Sequence, residues 1–175
     1  MVLLAAFLAV FVESATGTRG LLGAQIDLLP AIIVYAALHT GLATVALIAV
    51  LGGTWFDSLS ANPPGLTMVP LFLIGFVIHQ RRELILRDQV FAQFVLGLAA
   101  SAFTPLAELL LLFTAGRAPL AGWGTLWQWV VMAGGGGLLT PVCFGLFRFV
   151  RHAFFYEPLT QNSFRHDRQI RRGRR

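Results

Sequence analysis

Four acidic residues stand inside or beside apolar stretches: Glu13, Asp27, Asp57 and Glu108. A charge at the centre of a membrane helix costs about 2.5–3.5 kcal/mol, so such residues turn inward, pair, or mark a working site. Asp27 stands in the first turn of an apolar run, where a helix N-terminus favours negative charge. Asp57 closes a second run beside Trp55, just before a turn. Glu108 lies deepest in apolar sequence, and three roles are open to it: pairing with an arginine, holding a proton, or binding a partner helix. His39, His79, His152 and His166 are scattered, and no metal-ligand spacing joins them. A single cysteine, Cys143, excludes an internal disulfide and a cysteine metal cluster. The chain has no P-loop, nucleophile elbow or HExxH motif. These residues therefore point to binding, and no enzyme activity or cofactor is expected.

The elements that position these acids are set by composition. The chain has 175 residues, 57% hydrophobic and 12% charged, with a mean hydropathy of +0.74. A soluble domain carries about 25% charged residues. So few charges cannot cover a soluble surface, and lipid is the expected solvent. Each spanning helix needs roughly 20 apolar residues, so about six short-looped spans consume nearly the whole chain. The expected fold class is an all-α membrane protein: a compact transmembrane bundle over residues 1–150, then a basic tail over 151–175.

Punctuation divides the bundle. A short first span covers Met1–Val12, and a polar loop follows from Glu13 to Gln25. A second span runs Ile26–Leu38, with Pro30 near its start, where a missing N–H is tolerated. Leu42–Ser58 forms the third span; the second and third are each short and could be one long segment, which would give five spans, but the His39-Thr40-Gly41 break and their combined length favour a helical hairpin. Asn62-Pro63-Pro64-Gly65 is the strongest turn signal. The fourth span is Leu66–His79. The fifth is Gln89–Thr114, with Pro105 as an expected bend. The sixth, Trp123–Phe149, opens on Trp123, Trp127 and Trp129, an interfacial aromatic cluster. Its central Gly134–Gly137 run permits close helix contact.

All 13 basic residues are arginine. Arg81, Arg82 and Arg87 follow the fourth span, and eight more follow from Arg148 to Arg175. Arg19 and Arg117 fall in loops on the other side. With six spans, the positive-inside rule places both termini and the Arg82 loop in the cytoplasm. In so apolar a chain, the basic balance points to anionic headgroups rather than nucleic acid. Arg81, Arg82, Arg171 and Arg172 are the candidate lipid or cytoplasmic contacts.

The order of features from Ala24 to Arg151 resembles the MreD family of bacterial rod shape-determining membrane proteins. The resemblance rests on Ile26-Asp27-Leu28-Leu29-Pro30 opening a short span and Gly41 starting the next. It continues through Gly52-Gly53-Thr54-Trp55-Phe56-Asp57 and Pro64-Gly65-Leu66, then the basic pair Arg81-Arg82. Ile26 stands where the family often has an aromatic or basic residue, and the tail is longer and more basic than the pattern requires.

That resemblance implies a non-enzymatic subunit of the cell-elongation machinery in the bacterial inner membrane. The implied partners are an MreC-like protein, a RodA-like glycosyltransferase with its transpeptidase, and MreB filaments. It also implies a fold similar to the S components of energy-coupling-factor transporters. Asp27, Asp57, Gly65, Leu66 and Glu108 become candidate cavity or partner-binding residues. The competing reading is a transporter subunit that binds a small molecule in a cavity lined by Asp27, Asp57 and Glu108. Ala5 and Ala9 would then form its docking face. A membrane enzyme using Glu108 as acid or base is a third reading.

Overall fold

A computed structural model describes residues 2–16, 26–60, 63–85, 89–116 and 122–154. They form six α-helices: α1 (Val2–Thr16), α2 (Leu29–His39), α3 (Leu42–Leu59), α4 (Met68–Arg81), α5 (Val90–Thr114) and α6 (Trp123–Phe154). No strand occurs among the described residues. Helices α3, α5 and α6 are long and apolar enough to cross a membrane. Helices α1, α2 and α4 are apolar but shorter. The described residues are thus all-helical, with the three long apolar helices of a membrane protein.

The shortest helix occupies the centre. α2 has 11 residues, about 16 Å at 1.5 Å per residue, yet it packs against all five other helices. Its position follows from composition: Leu-Pro-Ala-Ile-Ile-Val-Tyr-Ala-Ala-Leu carries no charge on any face. A helix apolar all round suits a fully enclosed site. Leu29, Ile33, Val34 and Leu38 are buried, and Val45, Ile48 and Leu71 of α3 and α4 close on them.

Small residues set the spacing. Gly53 lets α3 approach the backbone of Met68, where an added Cβ would lie 2.7 Å from Cα. Gly75 of α4 receives Val45 and Ile33. In the glycine run of α6, Gly135 receives Ile26, Gly136 meets Ser101, and Gly137 lies against Phe94 and Leu98. Gly97 of α5 in turn receives Thr140. α5 and α6 therefore form a tightly packed antiparallel pair, as small-residue contacts allow in lipid.

Several boundaries differ from the sequence expectation. α1 continues as helix through Thr16, beyond the loop expected from Glu13. Polar side chains there do not stop backbone hydrogen bonding. α2 begins at Leu29, so Asp27 precedes the helix instead of occupying its first turn. Leu66 belongs to the turn before α4, its N–H bonded to Pro63 O at 3.3 Å. α5 stays helical through Pro105. α6 stays helical through Pro141 and past Arg151 to Phe154. The later tail, with Arg171 and Arg172, lies outside the described residues, as do Arg19, Arg87 and Arg117.

Candidate functional site

Asp57 is in the last turn of α3 and is wholly buried. Its carboxylate organises the chain that returns into α4. Oδ2 accepts the Gly65 N–H at 2.8 Å. Both carboxylate oxygens accept the Thr67 N–H at 3.2 Å. Oδ1 also accepts the Thr67 hydroxyl at 2.5 Å. Thr67 is the N-cap residue of α4 but makes no capping bond with its own side chain. Asp57 thus supplies acceptors where the start of α4 leaves N–H groups without helical partners. Gly65 has φ +94°, a conformation reached readily only without a Cβ.

Thr67 also connects Asp57 to α5. Its Oγ1 lies 3.1 Å from Glu108 Oε1. The hydroxyl has one hydrogen to give. Hydrogen bonds to both acids at once therefore require a proton carried by one of the two carboxyls. Asp27 completes the group from the entrance of α2. It is 2% exposed, and its Oδ1 accepts the Leu29 N–H at 2.8 Å. Asp27 and Asp57 both lie within electrostatic reach of Glu108. The sequence candidates Asp27, Asp57, Gly65 and Glu108 are therefore gathered at one end of the bundle. The start of α2, the end of α3, the start of α4 and the last turns of α5 meet there. Leu66 contributes its place in the turn. No group of three or more His, Cys, Asp or Glu among the described residues is arranged to hold a metal.

Arg81 and Arg82 are apart from this group, at the other end of α4. That end is tied to α2 by His79, whose Nδ1 lies 3.1 Å from Ala37 O. The two ends of the bundle therefore differ in charge, one carrying buried acids and the other surface arginines.

Sequence reasoning missed Thr67, the residue that joins the acids. Its signal was a hydroxyl residue just before an apolar helix, a common N-cap pattern. It also missed a polar seam between α5 and α6. Trp129 donates its indole N–H to Ala102 O at 2.8 Å, less than one turn before Pro105. Thr140 bonds to Gly136 O at 2.7 Å, and Thr104 to Ala100 O at 3.0 Å. Ser101 Oγ is buried with no hydrogen-bond partner among the described residues.

No protein-family model matches this chain, and neither a curated protein nor a solved structure matches it.

Proposed function

We propose that this protein is an MreD-like, non-enzymatic subunit of a bacterial cell-elongation complex. It sits in the inner membrane as a six-span bundle with a cytoplasmic C-terminus. Its fold is similar to that of the energy-coupling-factor S components. It supports rod shape and peptidoglycan synthesis through an MreC-like protein and a RodA-like glycosyltransferase with its transpeptidase. MreB filaments are a further partner on the cytoplasmic side.

The observation that carries this reading is the Asp57–Gly65 hydrogen bond at 2.8 Å. It joins the two sequence blocks on which the resemblance rests into one structural unit. The arginine distribution supports the orientation, because the basic helix ends of α4 and α6 belong inside.

The transporter reading has less support. Ala9 is buried in the core of the bundle and Ala5 is half-buried, so the small-residue face of α1 is already used within the chain. Asp57 and Glu108 also share the Thr67 hydroxyl, and Asp27 and Asp57 engage nearby backbone groups.

The test is depletion in a rod-shaped bacterial host, combined with mild-detergent purification and mass spectrometry. Rounded cells and co-purification of an MreC-like protein are expected. Unchanged rods after clean deletion would sink the proposal. A tightly bound vitamin in the purified protein would favour the transporter reading instead.

A further inference from the structure

At the end of the bundle away from the acids, α2 and α6 build an aromatic and cationic corner. Tyr35 is stacked between two rings: His39 at 4.5 Å and Phe147 at 4.2 Å, each inclined by 15°. Phe144 meets Tyr35 edge-on at 5.0 Å and His39 at 5.4 Å. Phe144 is buried, which anchors the stack in the core. The spacing of Phe144, Phe147, Arg148 and Arg151 places them along one stripe of α6. Arg148 and Arg151 are exposed. Arg151 is near enough to Tyr35 for its charge to act on the phenol.

Among the described residues, neither arginine has an ion pair, and the Tyr35 hydroxyl has no hydrogen-bond partner. The described acids Asp27, Asp57 and Glu108 are gathered at the opposite end of the bundle. Glu83, just beyond α4, has no ion pair with either arginine. Two guanidinium groups one helical turn apart suit the oxygens of one phosphate. The depth is also appropriate: α2 ends at His39, and Phe144 and Phe147 of α6 pack against that end, so the arginines that follow them in α6 flank the apolar region at headgroup level.

We propose that Tyr35, Arg148 and Arg151 form a binding site for the phosphate headgroup of an anionic phospholipid. The stacked rings hold Tyr35 rigid, and Arg148 and Arg151 supply the charge. This assignment depends on the membrane setting and not on any elongation partner, so it can fail or succeed independently of that function.

The test uses the full chain reconstituted in phosphatidylcholine vesicles. Spin-labelled phosphatidylglycerol is compared with spin-labelled phosphatidylcholine for the motionally restricted, protein-bound fraction. The intact protein is expected to prefer phosphatidylglycerol several-fold, since arginines at a membrane surface attract anionic lipid. Arg148→Gln with Arg151→Gln is expected to bring the preference close to parity. Arg148→Lys with Arg151→Lys should retain most of it, and Tyr35→Phe should lower it while keeping the ring stack. Helix content and size-exclusion profile verify that each variant folds. If the double Gln variant does not fold, the single Gln variants carry the test, each expected to lose part of the preference. The site is overturned if the Gln variants bind phosphatidylglycerol like the parent. It is also overturned if Arg81→Gln with Arg82→Gln removes as much preference, which would mean diffuse charge. Orthophosphate, compared with chloride at equal ionic strength, should not abolish the preference; if it does, the site is one for free anions and the lipid assignment fails.

Discussion

The Asp57 carboxylate and the Thr67 hydroxyl lie 2.5 Å apart, and through this contact the end of α3 holds the start of α4. Replacing Asp57 with Asn leaves one acceptor oxygen where two served the Gly65 and Thr67 amides. A buried amide without a partner costs about 1–3 kcal/mol. Asp57→Asn should therefore lower the midpoint of thermal unfolding in detergent, and Asp57→Ala should lower it further. An unchanged midpoint in both would remove Asp57 from its structural role.

Thr67→Val deletes the hydroxyl that bridges Asp57 and Glu108. A double-mutant cycle with Glu108→Gln should show coupling of about 0.5–3 kcal/mol, as for residues sharing one hydrogen-bond network. Strict additivity in unfolding measurements would mean that the 3.1 Å contact contributes nothing.

The glycine run of α6 provides an internal control. A Cβ on Gly136 would collide with Ser101, whereas one on Gly134 meets nothing within 4 Å. Gly136→Ala should destabilise the protein by about 1–3 kcal/mol, the usual range for overpacking. Gly134→Ala should be neutral or stabilising, because Ala is the better helix former by up to about 1 kcal/mol. Equal effects of the two, read as unfolding midpoints, would contradict the packing of α5 on α6.

Gly65 tests conformation without crowding. Its added Cβ would meet nothing within 4 Å, but its φ is +94°. Gly65→Ala should cost on the order of 1 kcal/mol from backbone strain alone. The comparison is with Gly41→Ala, which also has open space but an ordinary φ of −83°.

At the polar seam, Trp129→Phe removes the indole donor to Ala102 O and should cost about 0.5–1.5 kcal/mol. Ser101→Ala should be close to neutral or stabilising, since Ser101 Oγ is buried without a partner. A large loss from Ser101→Ala would reveal a bond that the hydroxyl makes in the membrane.

The legible part of this fold was where apolar runs met strong punctuation. The Gly41 break and the Pro63-Pro64-Gly65 turn placed α3 and α4 to within a few residues, because proline and glycine act on the local backbone. The end of α1 was harder. Glu13 and its polar neighbours read as loop, but their backbone amides continue the helix to Thr16. The acids were conspicuous because carboxylates are rare in apolar sequence. Their common destination was less visible, because Thr67 resembles any other turn residue until Asp57 and Glu108 approach it. The seam between α5 and α6 was hidden for a similar reason. Ser101, Thr104 and Thr140 are ordinary in composition, and only the register of the two helices places them at one interface.

The central position of α2 has a consequence for biogenesis. A helix of 11 residues falls well short of the roughly 20 needed to cross hydrocarbon alone. It also brings Asp27, whose Oδ1 accepts the Leu29 N–H once the helix start has formed. The faces of α2 are covered only once the other five helices have packed around it. The segment at the heart of the folded bundle is thus the one whose burial depends most on the remainder of the chain.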